Sequence, residues 1–230
     1  MYSKELRNLM DQWRMEPKHV NHVFNYDGIV NEEVWNDEKN KKIMFFLKEA
    51  YHSKESEARY KEQNNASYFL TEELNSYKPW KMWKKVAVWT AAINNTDING
   101  TLTYSETDIR NAEWDLIKSI AVVNVKKSDG DNTSKHENLK GYAVDDNAYI
   151  KKEIELIKPK IILCGNNCSL LQIAYPEMNL KELNENHYLI FNDTIILDYY
   201  HPANQYPNFV NYYAVAGIYQ QALKKMEDFR

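Results

Sequence analysis

Three short apolar runs constrain this chain more than any other feature. "IMFFL" (43–47), "IAVVNV" (120–125) and "IILCG" (161–165) are apolar throughout, apart from Asn124 in the second. Runs of that length without polar alternation are the pattern of strands covered on both faces. Amphipathic stretches lie between and around them. Residues 3–15 place Leu6, Leu9, Met10 and Trp13 on one helical face. "WKMWKKVAVWTAAI" follows Pro79, a favourable first-turn residue, and repeats Trp80, Trp83, Val86 (or Ala87) and Thr90 at helical spacing. Residues 144–157 align Ile150, Ile154 and Ile157 before Pro159 stops the helix. Residues 208–228 align Tyr212, Val215, Tyr219, Ala222 and Met226. Buried strands alternating with such helices predict an α/β fold, a three-layer α/β/α sandwich around a short, mainly parallel sheet.

The rest of the chain reads less sharply. Residues 188–191 and 194–197 predict a hairpin or a final strand, turning at Asn192-Asp193. Residues 67–77 and 113–118 predict short helices, and 53–66 an exposed loop or helix. Residues 95–112 and 128–141 predict loops, the second long enough to suggest function or movement. Residues 16–40 read as an irregular lead-in, with a short helix opening at Asn31-Glu32-Glu33. With 230 residues, of which 43% are hydrophobic, and only six glycines and six prolines, one domain is expected. It comprises a helical lead-in over 1–40 and a core over 41–230.

Composition narrows the function classes. The net charge of −4 disfavours a sequence-independent grip on polyanions, although a local basic face is compatible with it. Cys164 and Cys168 stand alone, with no second pair and no histidine at metal spacing, so they read as buried thiols. The first residues lack the apolar core of a signal peptide, and no run approaches membrane-spanning length. A soluble, cytoplasmic protein is expected. No Gly-x-Gly-x-x-Gly or phosphate-loop lysine follows a strand, so nothing recruits NAD or ATP.

In parallel sheets ligands bind beyond the carboxyl ends of the strands. The residues there are Lys48, Glu49, Tyr51 and His52, then Asn124 and Lys126, then Gly165 and Asn166, then His201. Glu49 can act as a general base or sit solvated beside a lysine. Asn124 has a donor and an acceptor for a nucleobase edge, or makes a structural hydrogen bond. Pro202 fixes the backbone that presents His201. Tyr51, Tyr68 and Phe69 can stack on a planar ligand. Lys48, Lys126 and Lys127 also read as solvated caps of strand ends. The remaining histidines carry no pattern.

In order along the chain, "FLKEAYH", "IAVVNVKK", "EIELIKPKIILCGN" and "LDYYHPAN" resemble four segments of the uracil-DNA glycosylase superfamily. They span 43–204. The resemblance implies DNA repair by base excision: a base is flipped out of the stack and released by water attack at the sugar C1′. It implies DNA as partner and neither metal nor other cofactor. It assigns water activation to Glu49, base reading to Asn124 and leaving-group stabilisation to His201. Glu49 meets a water-side position against either Gly-Gln-Asp-Pro-Tyr-His or Gly-Glu-Ala-Pro-Gly. Phe69 is the first choice for the stacking ring and Tyr68 the second. Tyr51 belongs to the base pocket. Lys48, His52, Lys126, Gly165, Asn166, Ala203, Gln205 and Tyr206 are the nucleic-acid contacts, with Gln205 or Tyr206 as the wedge.

The departures are specific. Leu47 or Lys48 replaces a glycine, Ala50 or Tyr51 a proline, and Ala203 a phosphate-holding serine. The four cysteines of cluster-bearing branches are missing. These changes motivate a second reading, a catalytically altered relative that binds nucleic acid, nucleotide or protein.

Overall fold

The computed structural model describes residues 3–51, 54–63, 66–76, 81–130 and 135–228. Among these, the strands are β1 (Phe24–Tyr26), β2 (Gly28–Ile29), β3 (Ile43–Tyr51), β4 (Ser67–Phe69), β5 (Ala121–Gly130), β6 (Ile161–Gly165), β7 (Tyr188–Phe191) and β8 (Thr194–Tyr199). They form one eight-stranded sheet in the order β4-β1-β5-β3-β6-β8-β7, with β2 also on β5. β5, β3, β6 and β8 are parallel neighbours. β7 closes one edge antiparallel to β8, and β1 and β2 run antiparallel to β5.

The helices are α1 (Lys4–Arg14), α2 (Glu32–Trp35), α3 (Lys54–Gln63), α4 (Leu70–Ser76), α5 (Lys81–Asn94), α6 (Glu106–Asn111), α7 (Glu113–Lys118), α8 (His136–Asp145), α9 (Asn147–Ile157), α10 (Cys168–Ala174), α11 (Leu180–Asn186) and α12 (Asn208–Glu227). Strand alternation divides the core in two. Ile43, Phe45 and Leu47 of β3 face α4, α5, α7 and α12, through residues such as Leu74, Trp89, Ile117 and Val215. Met44 and Phe46 face α1 and α8–α11, through Met10, Trp13, Leu139, Ile154, Leu171 and Leu183. Helices therefore cover both faces, giving the three layers. At roughly 1.5–3 kcal/mol per buried large apolar side chain, these two layers supply the main drive to fold.

Local signals agree with these elements. The Ser3 hydroxyl accepts the Leu6 N–H at 3.2 Å and caps α1, whose first turn holds Glu5 and last turn Arg14. α9 ends with Lys158 in the left-handed region at φ 54°, just before Pro159. The β7–β8 turn uses Asn192 and Asp193 with φ 48° and 61°, as residues of that type permit.

Several expectations are corrected. The lead-in contributes β1 and β2 to the sheet, and Trp13 of α1 is fully buried. Residues 67–69 are a strand, with helix α4 only after them. The supposed loops at 95–112 and 128–141 contain α6 and the start of α8, and β5 runs on to Gly130. Lys127 is no solvated cap: it is 0% exposed. Pro79 lies outside the described residues.

The parallel strands follow each other in the chain as β3, β5, β6, β8 but lie side by side as β5-β3-β6-β8. The chain thus leaves β3 on one side and returns on the other. The crevice this creates lies at the carboxyl ends of β3 and β6, where open α/β sheets bind ligands.

Candidate functional site

Register aligns one row of residues across these strand ends. Asn124 pairs with Leu47, and Gly165 with Tyr199. The step after the Phe46–Cys164 pair brings Leu47 level with Gly165. Glu49, paired with Lys126, stands two residues beyond Leu47. His201 stands two residues beyond Tyr199. Two strand spacings, about 10 Å in all, separate β3 from β8.

His201 is held tightly. The Ala203 N–H donates to its Nδ1 at 3.2 Å. With Nδ1 an acceptor, the proton of the neutral ring sits on Nε2. Burial and, secondarily, the nearby Lys48 ammonium lower its pKa to about 4. The ring is therefore neutral near pH 7 and has a donor to offer. Asn204 folds the loop: its N–H and its side-chain amide both donate to the His201 carbonyl at 3.0 Å, and its Oδ1 accepts the Tyr206 N–H at 3.1 Å.

Glycine lets this loop close over β6. A Cβ on Gly165 would stand 3.0 Å from Leu47 Cδ2, 3.4 Å from Pro202 Cδ and 3.6 Å from His201 Cδ2. Gly165 is therefore buried packing under the histidine. Asn166 beside it is exposed, with φ 59°, and its N–H donates to the Tyr199 carbonyl at 2.7 Å.

Glu49 is held from the other side. Its carboxylate lies 3.1 Å from Lys126 Nζ, with only 5% of the side chain exposed. A Cβ on Gly130 would come within 2.5 Å of Glu49 Cγ and Cδ. The absence of that Cβ makes the space that the glutamate occupies. The Tyr51 side chain and all of His52 lie outside the described residues.

Asn124 is 3% exposed. Its backbone N–H and its side-chain amide both donate to Asp27 Oδ2, at 2.7 and 2.9 Å. Asp27 sits in the gap between β1 and β2 and completes β5's pairing there. Its other oxygen accepts from Lys127, whose Nζ also lies 2.7 Å from Glu153 of α9. All three charged side chains are 0% exposed. Burial pushes Glu153 well above the usual carboxylate range, Asp27's charge adds to that, and Lys127 opposes it without winning. Burial also works against the charge on Lys127, but the two carboxyl groups outweigh it and hold its pKa up. Burial thus favours the protonated form of Glu153, while the two carboxyl groups favour the charged form of Lys127.

Tyr68 and Phe69 are not brought to His201. They sit on β4, five strand spacings from β8, on the order of 24 Å. Phe69 stacks on Tyr26 at 4.7 Å, with the Arg7 guanidinium 4.9 Å from its ring centre. Tyr68 is 7% exposed and packs in the core layer of α4 and α5; burial raises its phenol pKa. Ala203, Gln205 and Tyr206 are exposed on the loop after His201. The Tyr206 carbonyl accepts from Lys85 at 2.6 Å and from Asn211 at 3.0 Å.

Sequence reasoning missed Asp27, Glu153, Gly130 and Asn204, and misread Lys127 as a solvated cap. Only "YDG" inside the lead-in hinted that Asp27 was special. It also missed Asn167, which is 3% exposed at the start of α10, with neither polar atom of its amide hydrogen-bonded among the described residues. No helix among the described residues is long and apolar enough to cross a membrane. No protein-family model matches the chain, and no curated protein is significantly similar to it.

Proposed function

We propose that this chain is a monofunctional DNA glycosylase that flips out uracil or another altered base and hydrolyses its N-glycosidic bond. One observation carries the reading. A neutral imidazole with its proton on Nε2 stands just past the end of β8, two strand spacings across β6 from a carboxylate at the end of β3. Breaking the bond between the base and C1′ leaves the electron pair on the base. Nε2–H of His201 is a fixed donor for that negative charge, a contribution on the order of 10²–10³-fold in rate for one preorganised donor. The Lys48 ammonium adds positive potential beside it. Glu49 orients the attacking water and takes its proton as oxygen bonds to C1′. Lys126 compensates the carboxylate's charge while water approaches. No step in this sequence calls for a metal.

The test is base release from single-stranded and duplex oligonucleotides carrying uracil. Wild type releases the base; His201→Ala and Glu49→Gln slow release at least 100-fold. Release of neither uracil nor any other modified base by wild type removes the proposal.

A second reading, a non-catalytic binding module of the same fold, is favoured by the amide of Asn124. That group, the one expected to read a base, already donates to Asp27. Tight binding of a nucleic acid, nucleotide or protein that survives Glu49→Ala and His201→Ala unchanged supports this reading. Loss of all measurable function in both variants excludes it.

A further inference from the structure

β7 and β8 are of unequal length. Their register runs from Phe191–Thr194 to Tyr188–Leu197, so Asp198 and Tyr199 overhang the hairpin. β6 covers their other edge, with Cys164 against Asp198 and Gly165 against Tyr199. α11 ends just before β7 on His187, left-handed at φ 61°, whose carbonyl accepts the Asp198 N–H at 2.8 Å. A cavity of about 220 Å³ lies beside the overhang, lined by Asn166, His187, Asp198, Tyr199, Tyr200 and Ile218 of α12. Its aromatic walls are braced. Tyr199 packs edge-on against Trp89 at 5.2 Å and Tyr200 at 5.3 Å, and Tyr200 leans on Tyr206 at 5.1 Å. Asp198 is the one acidic group in the lining. Burial raises its pKa; the Cys168 thiol, which donates to it, and the His187 imidazole oppose that without cancelling it. Among the described residues no lysine or arginine pairs with it.

We propose that this cavity binds a small organic cation, a primary ammonium or guanidinium on a short stem, with the Asp198 carboxylate as its counter-charge and Tyr199 and Tyr200 as walls. The site is separate from the chemistry assigned to Glu49 and His201 and does not depend on it. Three observations favour this occupant. First, a half-buried carboxylate without a basic partner is stabilised by a ligand that brings the missing charge. Second, tyrosine rings beside a carboxylate add cation–π attraction, and Ile218 gives the stem an apolar contact. Third, the chain carries a net charge of −4, which draws cations and repels anions. The size fits as well. A cavity of about 150 Å³ holds benzene, so 220 Å³ takes roughly six to nine heavy atoms. A bare metal ion fits less well, because the described residues contain no group of three or more His, Cys, Asp or Glu side chains that could hold one.

The experiment is heteronuclear NMR of the full chain titrated with n-pentylamine and benzylamine. Their neutral counterparts 1-pentanol and benzyl alcohol, and the anion pentanoate, are titrated alongside. The amines shift the amides of Asn166, His187, Asp198, Tyr199 and Tyr200 and the methyls of Ile218. Their dissociation constants are on the order of 1 mM or below, within reach of ligands of that size. The alcohols bind at least about tenfold more weakly and pentanoate does not bind. Asp198→Asn, which keeps an acceptor for the Cys168 thiol, weakens the amines at least about tenfold and leaves the alcohols unchanged. Tyr200→Ser weakens the amines roughly three- to tenfold. Ile218→Trp fills the cavity while leaving the carboxylate in place, and abolishes binding; it decides the question if Asp198→Asn does not fold. Alcohols that bind as well as amines, Asp198→Asn with normal affinity, or shifts centred elsewhere overturn the inference. So do amines that show no saturation by about 10 mM.

Discussion

The buried trio of Lys127, Asp27 and Glu153 makes an asymmetric prediction. The two carboxyl groups both touch Lys127 and are equally buried, yet it is Glu153 that burial pushes toward its protonated form. Asp27→Asn leaves a buried ammonium without its anion, which typically costs about 3–5 kcal/mol. In a chain of this size that lowers Tm by roughly 6–20 °C. Lys127→Met strands Asp27 and costs a similar amount, whereas the double substitution recovers most of the loss. Glu153→Gln behaves differently. A glutamine amide donates to Asp27 as a protonated Glu153 does, so the charge balance is unchanged. The sign with pH follows from linkage. Glu153's folded pKa lies above its unfolded value, so its protonated form supports the fold fully below the unfolded pKa, and that support is lost as pH rises toward the folded pKa. Glutamine has no proton to lose. Glu153→Gln should therefore match wild type near pH 4 and be the more stable of the two at pH 8. Urea unfolding of wild type and the four variants at pH 4, 7 and 8, followed by tryptophan fluorescence, measures all of this. Equal losses for Asp27→Asn and Glu153→Gln, or a Glu153→Gln difference that does not change with pH, would refute the charge assignment.

Three further outcomes follow from the site. His201 has a folded pKa near 4 against an ordinary 6.5, so its neutral form supports the fold above pH 6.5 and that support drains away between pH 6.5 and 4; the loss is at most about 3 kcal/mol, and His201→Asn flattens it in pH-dependent urea unfolding. Gly130→Ala drives a Cβ into Glu49, whose flexible end can swing aside, so stability falls by only about 1–3 kcal/mol while base release falls as far as in Glu49→Gln; single-turnover assays beside thermal melts separate the two effects. Asn204→Ala removes the side-chain links to the His201 carbonyl and the Tyr206 N–H, lowers stability by roughly 1–2 kcal/mol and slows release, because the imidazole loses its brace; melts and the same assay read it.

Apolar runs were legible wherever one residue type answered to one environment. The runs 43–47, 120–125 and 161–165 became β3, β5 and β6 because burial on both faces leaves no polar alternation to misread. β1, β2 and β4 were hidden because strands of two or three residues carry too little periodicity, and because Asn25, Asp27 and Ser67 inside or beside them look like turn residues. All three are buried all the same, and Asp27 finds its partners about 100 residues away in Asn124 and Lys127. Asn124 shows the same limit. An asparagine in a buried strand announces that it needs a partner, but only the fold identifies Asp27 as that partner. The position of Phe69 was hidden for a related reason. Position in the chain favoured Phe69, whereas strand order sends it to the far edge of the sheet, against Tyr26 and Arg7.

The resemblance implies a glycine where Leu47-Lys48 stand, and the three-dimensional arrangement puts its glycines elsewhere. A crowded strand end needs a missing Cβ somewhere, and Leu47-Lys48 cannot supply it on β3. The adjacent strands supply it instead. Gly130 on β5 clears the volume that Glu49 fills, and Gly165 on β6 clears the volume into which Leu47, Pro202 and His201 close. Moving the space one strand to either side frees β3 to carry side chains at the rim. Leu47 then covers Gly165, and Lys48 brings its charge close enough to act with burial in keeping His201 neutral. A glycine at position 48 would give up that charge. The altered rim is thus a rearrangement in which the lysine contributes to the protonation state that the proposed chemistry needs.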